Sequence, residues 1–495
     1  MRSLSELTGR RLYIDIEWLV ALGASLIFAY FIATEFWLGA AAIVGMIALA
    51  LMLMSAPLAI AVIWITGMPT LFILGDNAVS AIPFLTLGRA FFLILMGWLL
   101  LRFLLATDTL HPADAVEKSM AALLLVIAVS WSLTLGDKIP QVVRNDIVLL
   151  IHGFLMPFAA FLVGRNSDWT ERKIKTVLWI FVVYIGLYMI AAGVMQHFLN
   201  WTFFAPNHSD SLHPDRMTAT FTNALEFGVV VTTVLCVAVL LLVHTKARTA
   251  QFFLFALIAG LALCTVMSQG RGAWLAVLLA LAYIGLKSPR TRGLLALGTV
   301  LCVLAGLVLL PVIAETDDLT RRLQTSSTLH DRVGTWATSI NMIIHKPLFG
   351  FGFGSDTFYM NKSDFYDAWG QLSRQVGSYG SLPHNEFLHV AVLMGIVGLV
   401  PYVCLLVILW RTASGSHERA RDRRPFDADL AIIAQAGLII LIVNGLFLDL
   451  SPFYYGQVPV FFLLGIVARK QLPTKRTADR PRASASQASA KPPPA

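Results

Sequence analysis

The segment Pro383-His384-Asn385-Glu386-Phe387-Leu388 sets an imidazole beside a carboxamide and a carboxylate at the head of a long apolar run. Imidazole titrates near neutral pH. Transfer of a group onto a hydroxyl needs that hydroxyl's proton removed as the new bond forms, so His384 can serve as a general base. A second reading is structural: His-Asn at a helix start caps it, with Asn385 bonding a free backbone amide. The residues alone leave both readings open. His389, one turn further on, reads as a packed or polar interhelical residue, and His345, before Lys346-Pro347, as a helix-end cap. Asp449 reads as an exposed acid in a short loop.

Three arginines offer complementary chemistry. Arg216 follows His213-Pro214-Asp215 and is expected to open a helix; Arg271 sits in the tight link Ser268-Gln269-Gly270-Arg271-Gly272; Arg332 follows Asp331. A guanidinium stays charged and presents a planar fork of donors, so two or three converging at an interface would hold a lipid diphosphate. The plainer alternative is that each snorkels to headgroups or pairs with an acid, Asp215 for Arg216 and Asp331 for Arg332. Cys236, Cys264, Cys302 and Cys404 all fall inside apolar runs without metal-ligand spacing and read as small buried hydrophobes. Neither a metal nor a cofactor is expected.

The elements that must position these groups follow from composition. Of 495 residues, 57% are hydrophobic and 13% charged, against about 25% charged in an ordinary soluble domain. In a bilayer the backbone must satisfy its own polar groups, so long apolar runs become helices of about 20 residues. The fold class is therefore an all-α polytopic membrane protein. About fourteen runs are expected, near 18–34, 36–55, 57–75, 84–106, 119–135, 147–164, 177–198, 223–243, 252–268, 272–286, 293–314, 386–410, 429–447 and 453–468. The first apolar run has no small-residue cleavage site after it and reads as an uncleaved anchor.

Basic residues orient the set, because Lys and Arg concentrate in cytoplasmic loops. Arg10 and Arg11, then Arg102 and Lys118, then Arg165, Arg172, Lys173 and Lys175, then Lys246 and Arg248, then Lys287, Arg290 and Arg292, then the run from Arg411 to Arg424 alternate consistently. Both termini come out cytoplasmic, and Arg216, Arg271 and Arg332 come out on the periplasmic side as exceptions to the rule. Net charge is +8, and the tail after Ala468 supplies most of it, with seven basic residues against Asp479. Residues 469–495 read as a disordered basic tail at anionic headgroups. The remaining divisions are N-terminal membrane helices over 1–199, a core over 200–410 and a C-terminal hairpin over 411–468. Within the core, residues 315–385 are too long for a connector and read as a folded, partly helical periplasmic cap. In it Asp331 is expected to cap a helix carrying Val333, Trp336, Ile340 and Ile343, and Pro347 to stop it before Gly350-Phe351-Gly352-Phe353-Gly354.

Four stretches resemble the bacterial O-antigen ligase/polymerase superfamily: Arg216 through Gly228, Ser268 through Leu275, Asp331 through Phe358, and His384 through Leu399. The resemblance covers about residues 200–400. It implies an inverting, metal-independent transfer of glycan from undecaprenyl diphosphate to an acceptor hydroxyl, glycan or lipid A-core, at the periplasmic face of the inner membrane. By motif match Arg216, Arg271 and Arg332 take the diphosphate and His384 the acceptor's proton, with Glu226 and Asn385 in support. Glu226 lies where relatives carry a shorter polar signature, and pairs either with a site arginine or with another polar group between helices. Membrane lipid is an expected partner and nucleic acid is not. Within the superfamily, ligase, surface-polysaccharide polymerase and protein O-oligosaccharyltransferase share this donor chemistry. From another class, a transporter or lipid-linked glycan flippase suits the helix count, although no clear repeat or charged midplane supports it; a non-enzymatic assembly scaffold is a third reading.

Overall fold

A computed structural model describes residues 59, 61–67, 86–104, 113–167, 169–199, 201, 216–221, 223–296, 298, 327–366 and 382–469. The chain divides into two compact units, Met1–Ala61 and Val62–Ala495. Everything below concerns the second. Its helices are α1 (Leu87–Leu104), α2 (Ala115–Ser132), α3 (Pro140–Asn166), α4 (Glu171–Leu199), α5 (Ala224–His244) and α6 (Arg248–Met267), then α7 (Arg271–Lys287) and α8 (Ser327–His345), and finally α9 (Thr357–Asn361), α10 (Glu386–Ala420), α11 (Pro425–Gly445) and α12 (Tyr454–Arg469).

The protein is a helical polytopic membrane protein. Among the described residues, α2 to α6, α10 and α11 are the seven helices long and apolar enough to span. Ten of the fourteen expected runs coincide with helices. Those at 18–34 and 36–55, and most of 57–75 and 293–314, lie outside the described residues. Helix α5 is buried from Ala224 through Leu242 and α11 nearly throughout, so these two form the centre of the bundle. Helices α3 and α12 approach until their backbones touch: a Cβ added to Gly164 would press on the Phe462 carbonyl, and one on Gly465 on the Phe161 carbonyl. Small residues permit such contact between membrane helices. Cys236 and Cys264 are buried as expected, whereas Cys404 is exposed on α10.

Helix α10 departs most from expectation. In a straight helix Phe387 and Tyr402 would lie about 22 Å apart, yet their ring centroids are 6.0 Å apart. The chain doubles back at Gly395, whose φ of 60° and ψ of −158° are not helical. Residues 386–394 form a short arm that runs beside the first turns of the long helix 396–420. The apolar composition on both sides of Gly395 concealed the break.

The cap loop fills this break. The last carbonyls of the arm, Val392 and Leu393, accept the amides of Phe351 (2.8 Å) and Gly352 (3.0 Å). The first amides of the long helix, Ile396 and Val397, donate to the carbonyls of Pro347 (2.9 Å) and Leu348 (3.2 Å). Helix ends leave such groups without intrahelical partners, and burying them unpaired is costly. Gly395 must lack a side chain, since a Cβ there would collide with the Leu348 carbonyl. The loop is held from its other side by a buried ion pair. Lys138 Nζ bonds Asp146 Oδ2 at 2.6 Å and the Phe353 carbonyl at 2.7 Å, while Asp146 accepts the Ser355 amide at 2.9 Å and the Trp131 indole at 3.1 Å. Cap helix α8 starts at Ser327, so Asp331 lies inside it and does not cap it. It ends at His345, whose Nδ1 lies 2.9 Å from the Asn341 carbonyl, and Pro347 follows as expected. Residues 315–326 and 367–381 of the cap, and the tail beyond Arg469, lie outside the described residues.

Candidate functional site

The loop before α5 is shaped from α4. Buried Gln196 donates through Nε2 to the Arg216 carbonyl at 3.2 Å and accepts at Oε1 the amides of Thr218 (2.9 Å) and Ala219 (3.0 Å). The Met217 amide donates to the Met267 carbonyl at 3.1 Å, which ties this loop to the end of α6. Arg216 therefore sits in a loop and does not open a helix. Helix α5 begins at Ala224, capped by Asn223 through the Leu225 amide at 2.8 Å. Arg271 is the first residue of α7, with Gly270 before it as the cap residue.

Small residues bring the starts of α5 and α7 together, Gly228 against Ala273 and Gly270 against Leu225. On its other side Gly272 meets Phe447, and the face of Phe447 lies 5.7 Å from the Arg332 guanidinium. Phe447 thus stands between the start of α7 and the cap helix. Arg332 feels the other two arginines. Burial lowers its pKa most, the charges of Arg216 and Arg271 lower it further, and Asp449 opposes them. The three arginines occupy one electrostatic neighbourhood.

His384 enters the same neighbourhood from the cap. Thr335, one turn after Arg332, donates its hydroxyl to the Pro383 carbonyl at 3.3 Å. His384 is held at a φ of 56°. Its amide donates to Asp449 Oδ2 at 2.8 Å and the Asn385 amide to Oδ1 at 3.3 Å. The capping role belongs to Asn385, whose Oδ1 accepts the amides of Phe387 (3.0 Å) and Leu388 (3.1 Å). That leaves the His384 ring 43% exposed, with Nδ1 3.7 Å from Asp449 Oδ2. His389 Nδ1 lies 3.8 Å from the other carboxylate oxygen and is fully packed, as expected of it.

Asp449 corrects the sequence reading. It is wholly buried, in the link between α11 and α12, and not an exposed loop acid. Burial and the neighbouring Glu386 push its pKa up to about 8, against the pull of the His384 and Asn385 amides. Glu386 accepts the amides of Leu450 (2.6 Å) and Ser451 (3.0 Å) and the Ser451 hydroxyl. Glu226 is buried in the first turn of α5, and its Oε1 takes no hydrogen bond among the described residues.

Among the described residues the non-glycine positions with positive φ are Ala219, Gln269 and His384. Such conformations cost about 1–3 kcal/mol each and collect at functional sites. Here each lies within three residues of an expected site residue or is one. Helices α5 and α7 and the arm of α10 all start at this place, so their amide-bearing ends add to the positive potential. The cluster joins anion-binding capacity to an imidazole beside a buried carboxyl group.

Two kinds of site contributor escaped the sequence. Asp449 had a signal in its position between two uninterrupted apolar runs, where an acid is costly unless paired. Lys138, which pairs with Asp146 and binds the Phe353 carbonyl of the cap, gave no such signal, because that carbonyl lies 215 residues away in the chain.

Residues 254–403 match the family described as O-antigen ligase. An O-antigen ligase of Salmonella typhimurium is 23% identical over 334 residues, 64% of this chain and 75% of that protein. Provisionally assigned polysaccharide ligases of Rickettsia felis and Rickettsia conorii are each 31% identical over 109 residues, 21% of this chain and 26% of theirs. The resemblance to the O-antigen ligase superfamily read from the residues is borne out.

Proposed function

We infer that this chain, with an O-antigen ligase domain at residues 254–403, is a membrane glycosyltransferase that moves glycan from undecaprenyl diphosphate to an acceptor hydroxyl at the periplasmic face of the inner membrane. The acceptor is a glycan or lipid A-core. The observation that carries this reading is the gathering of Arg216, Arg271 and Arg332 beside Asp449 and the exposed edge of His384.

In this reading the arginines and the helix starts hold the diphosphate and neutralise the charge it gains as its bond to the sugar's anomeric carbon breaks. Fixed donors in a dehydrated site stabilise such charge without reorganising. The acceptor oxygen forms a bond to that carbon while its proton passes to the exposed imidazole of His384, and undecaprenyl diphosphate departs. One displacement inverts the anomeric centre, and the residues named supply each step without a metal. Asp449 fixes the backbone of His384 through the amides of His384 and Asn385, and Asn385 holds the arm's first turn.

The test uses the purified full chain in proteoliposomes with undecaprenyl-diphosphate-linked glycan and lipid A-core. Loss of donor, release of undecaprenyl diphosphate and a mobility shift of the acceptor are expected. Donor that crosses the bilayer unconsumed would instead make the protein a flippase. Glycan gels of a deletion strain separate the acceptor classes: single-repeat products indicate a polymerase, and undecorated core with accumulated lipid-linked polymer a ligase.

A further inference from the structure

The cap helix α8 has two unlike faces. Thr335, Thr338, Ser339 and Met342 are buried against the rest of the protein. Val333, Ile340 and Ile344, seven and four residues apart and hence on one side of a helix, are exposed, Ile344 at 65%. Leu348 and Phe349 extend this apolar surface past the helix end, at 59% and 55% exposure. Contiguous exposed apolar surface of this kind marks an interaction site.

Its continuation identifies the occupant. The Leu348 carbonyl accepts the Val397 amide, so Leu348 and Phe349 stand at the top of the long helix 396–420. That helix exposes Ile396, Val400, Val403 and Val407, a stripe that faces lipid in a membrane-spanning helix. The apolar surface of the cap continues this lipid-facing stripe upward and outward. Lys346 lies between Ile344 and Leu348, exposed, with its ammonium 4.5 Å from the Phe351 ring. A cation at the rim of an apolar face suits anionic headgroups.

We propose that the face formed by Val333, Ile340, Ile344, Leu348 and Phe349 is seated in the outer leaflet of the bilayer, with Lys346 at the headgroups. The cap is then an interfacial membrane element and not a water-solvated lid. Its height is fixed by lipid on one side and by the Gly395 break on the other. This rests on the chain spanning a membrane and not on the reaction it catalyses.

The experiment labels single cysteines with bimane in an otherwise cysteine-free full chain, at Ile344→Cys, Leu348→Cys and Phe349→Cys, with Ser363→Cys as an exposed polar control. The protein is reconstituted in phosphatidylcholine–phosphatidylglycerol vesicles with or without brominated acyl chains. The expected result is quenching by bromolipid and protection from aqueous iodide at the three apolar positions, with the reverse at Ser363. Iodide quenching at Ile344 and Leu348 equal to that at Ser363 would overturn the proposal. Disulfide formation between two Ile344→Cys copies, with no bromolipid quenching, would also overturn it by assigning the face to a second copy. Three sites are used so that one poorly folding variant does not decide the outcome.

Discussion

Asp449 and Glu386 hold each other's segments. The Asp449 carboxylate takes the amides of His384 and Asn385, immediately before Glu386, while Glu386 takes the amides of Leu450 and Ser451, immediately after Asp449. Each acid thus fixes the backbone on which the other is carried, and the arm of α10 is locked to the link between α11 and α12. Breaking one buried half leaves backbone donors unpaired, at about 1–3 kcal/mol each.

The clamp makes stability depend on pH in a definite direction. Asp449 in the folded protein holds its proton to about 8, whereas the unfolded chain releases it near 4. Between those values the folded state binds more protons, so stability falls as pH rises and the contribution is lost as pH passes about 8. Melting temperature in detergent should therefore decline from pH 6 to 9, and Asp449→Asn should flatten that decline while reducing transfer. An unchanged slope in Asp449→Asn would place the titration elsewhere.

The turn at Gly395 should tolerate no side chain. Gly395→Ala adds both a strained φ and a clash with the Leu348 carbonyl, and strain of that kind costs about 1–3 kcal/mol. The expected result is a lowered melting temperature and loss of transfer together. Gly97→Ala is the control, since nothing lies within 4 Å of the added carbon there and alanine favours a helix interior. Equal melting temperatures for the two variants would argue against the reversal.

Orientation is tested by labelling. Ser363→Cys on the cap and Asp422→Cys in the link between α10 and α11 are both exposed, and the basic residues around Asp422 lead us to propose a cytoplasmic link there. An impermeant thiol reagent added to intact spheroplasts should label the first and spare the second. Reversed labelling would move the whole site to the cytoplasmic face.

Much of this arrangement was legible because apolar runs and isolated charges are local signals. Helices α5 and α11 appear as long apolar stretches, and three arginines on the side where basic residues are scarce invite the question of what they bind. The reversal at Gly395 was not legible. It depends on carbonyls and amides of Pro347 to Gly352, more than forty residues upstream, and the arm's own composition is that of an ordinary membrane helix. Asp449 was misread for the same reason: its partners, the amides of His384 and Asn385, lie 65 and 64 residues away in the chain.

The donor site follows from the charge of the three arginines and the shape of their guanidinium groups. Arg271→Lys or Arg332→Lys keeps the charge and loses the planar fork, so transfer should fall at least about tenfold, roughly 1.4 kcal/mol, if a bidentate phosphate contact is lost. Arg216→Lys should behave alike. Gln196→Leu should mimic it without touching substrate, because Gln196 shapes the Arg216 loop. Initial rates at saturating acceptor read these losses. Full activity in all three lysine variants would reduce the arginines to simple charge anchors.

His384 gives the sharpest test, because its neighbour removes the ambiguity that a histidine at a helix start usually carries. Asn385 is the cap, with two amides on its side chain, so changing the His384 ring should leave the arm folded. His384→Asn also suits the backbone, since asparagine accepts a positive φ more readily than most residues. If the imidazole takes the acceptor's proton, His384→Asn and His384→Ala should both lose about 10² to 10⁴-fold in transfer, while expression, melting temperature and donor binding stay near wild type. Asn385→Ala should do the opposite, costing about 1 kcal/mol of stability through the lost cap and lowering activity in proportion to folded protein. The two variants thus separate chemistry from scaffolding within one dipeptide. A well-folded His384→Asn protein that transfers glycan at the wild-type rate would take histidine out of the mechanism and leave proton removal to solvent.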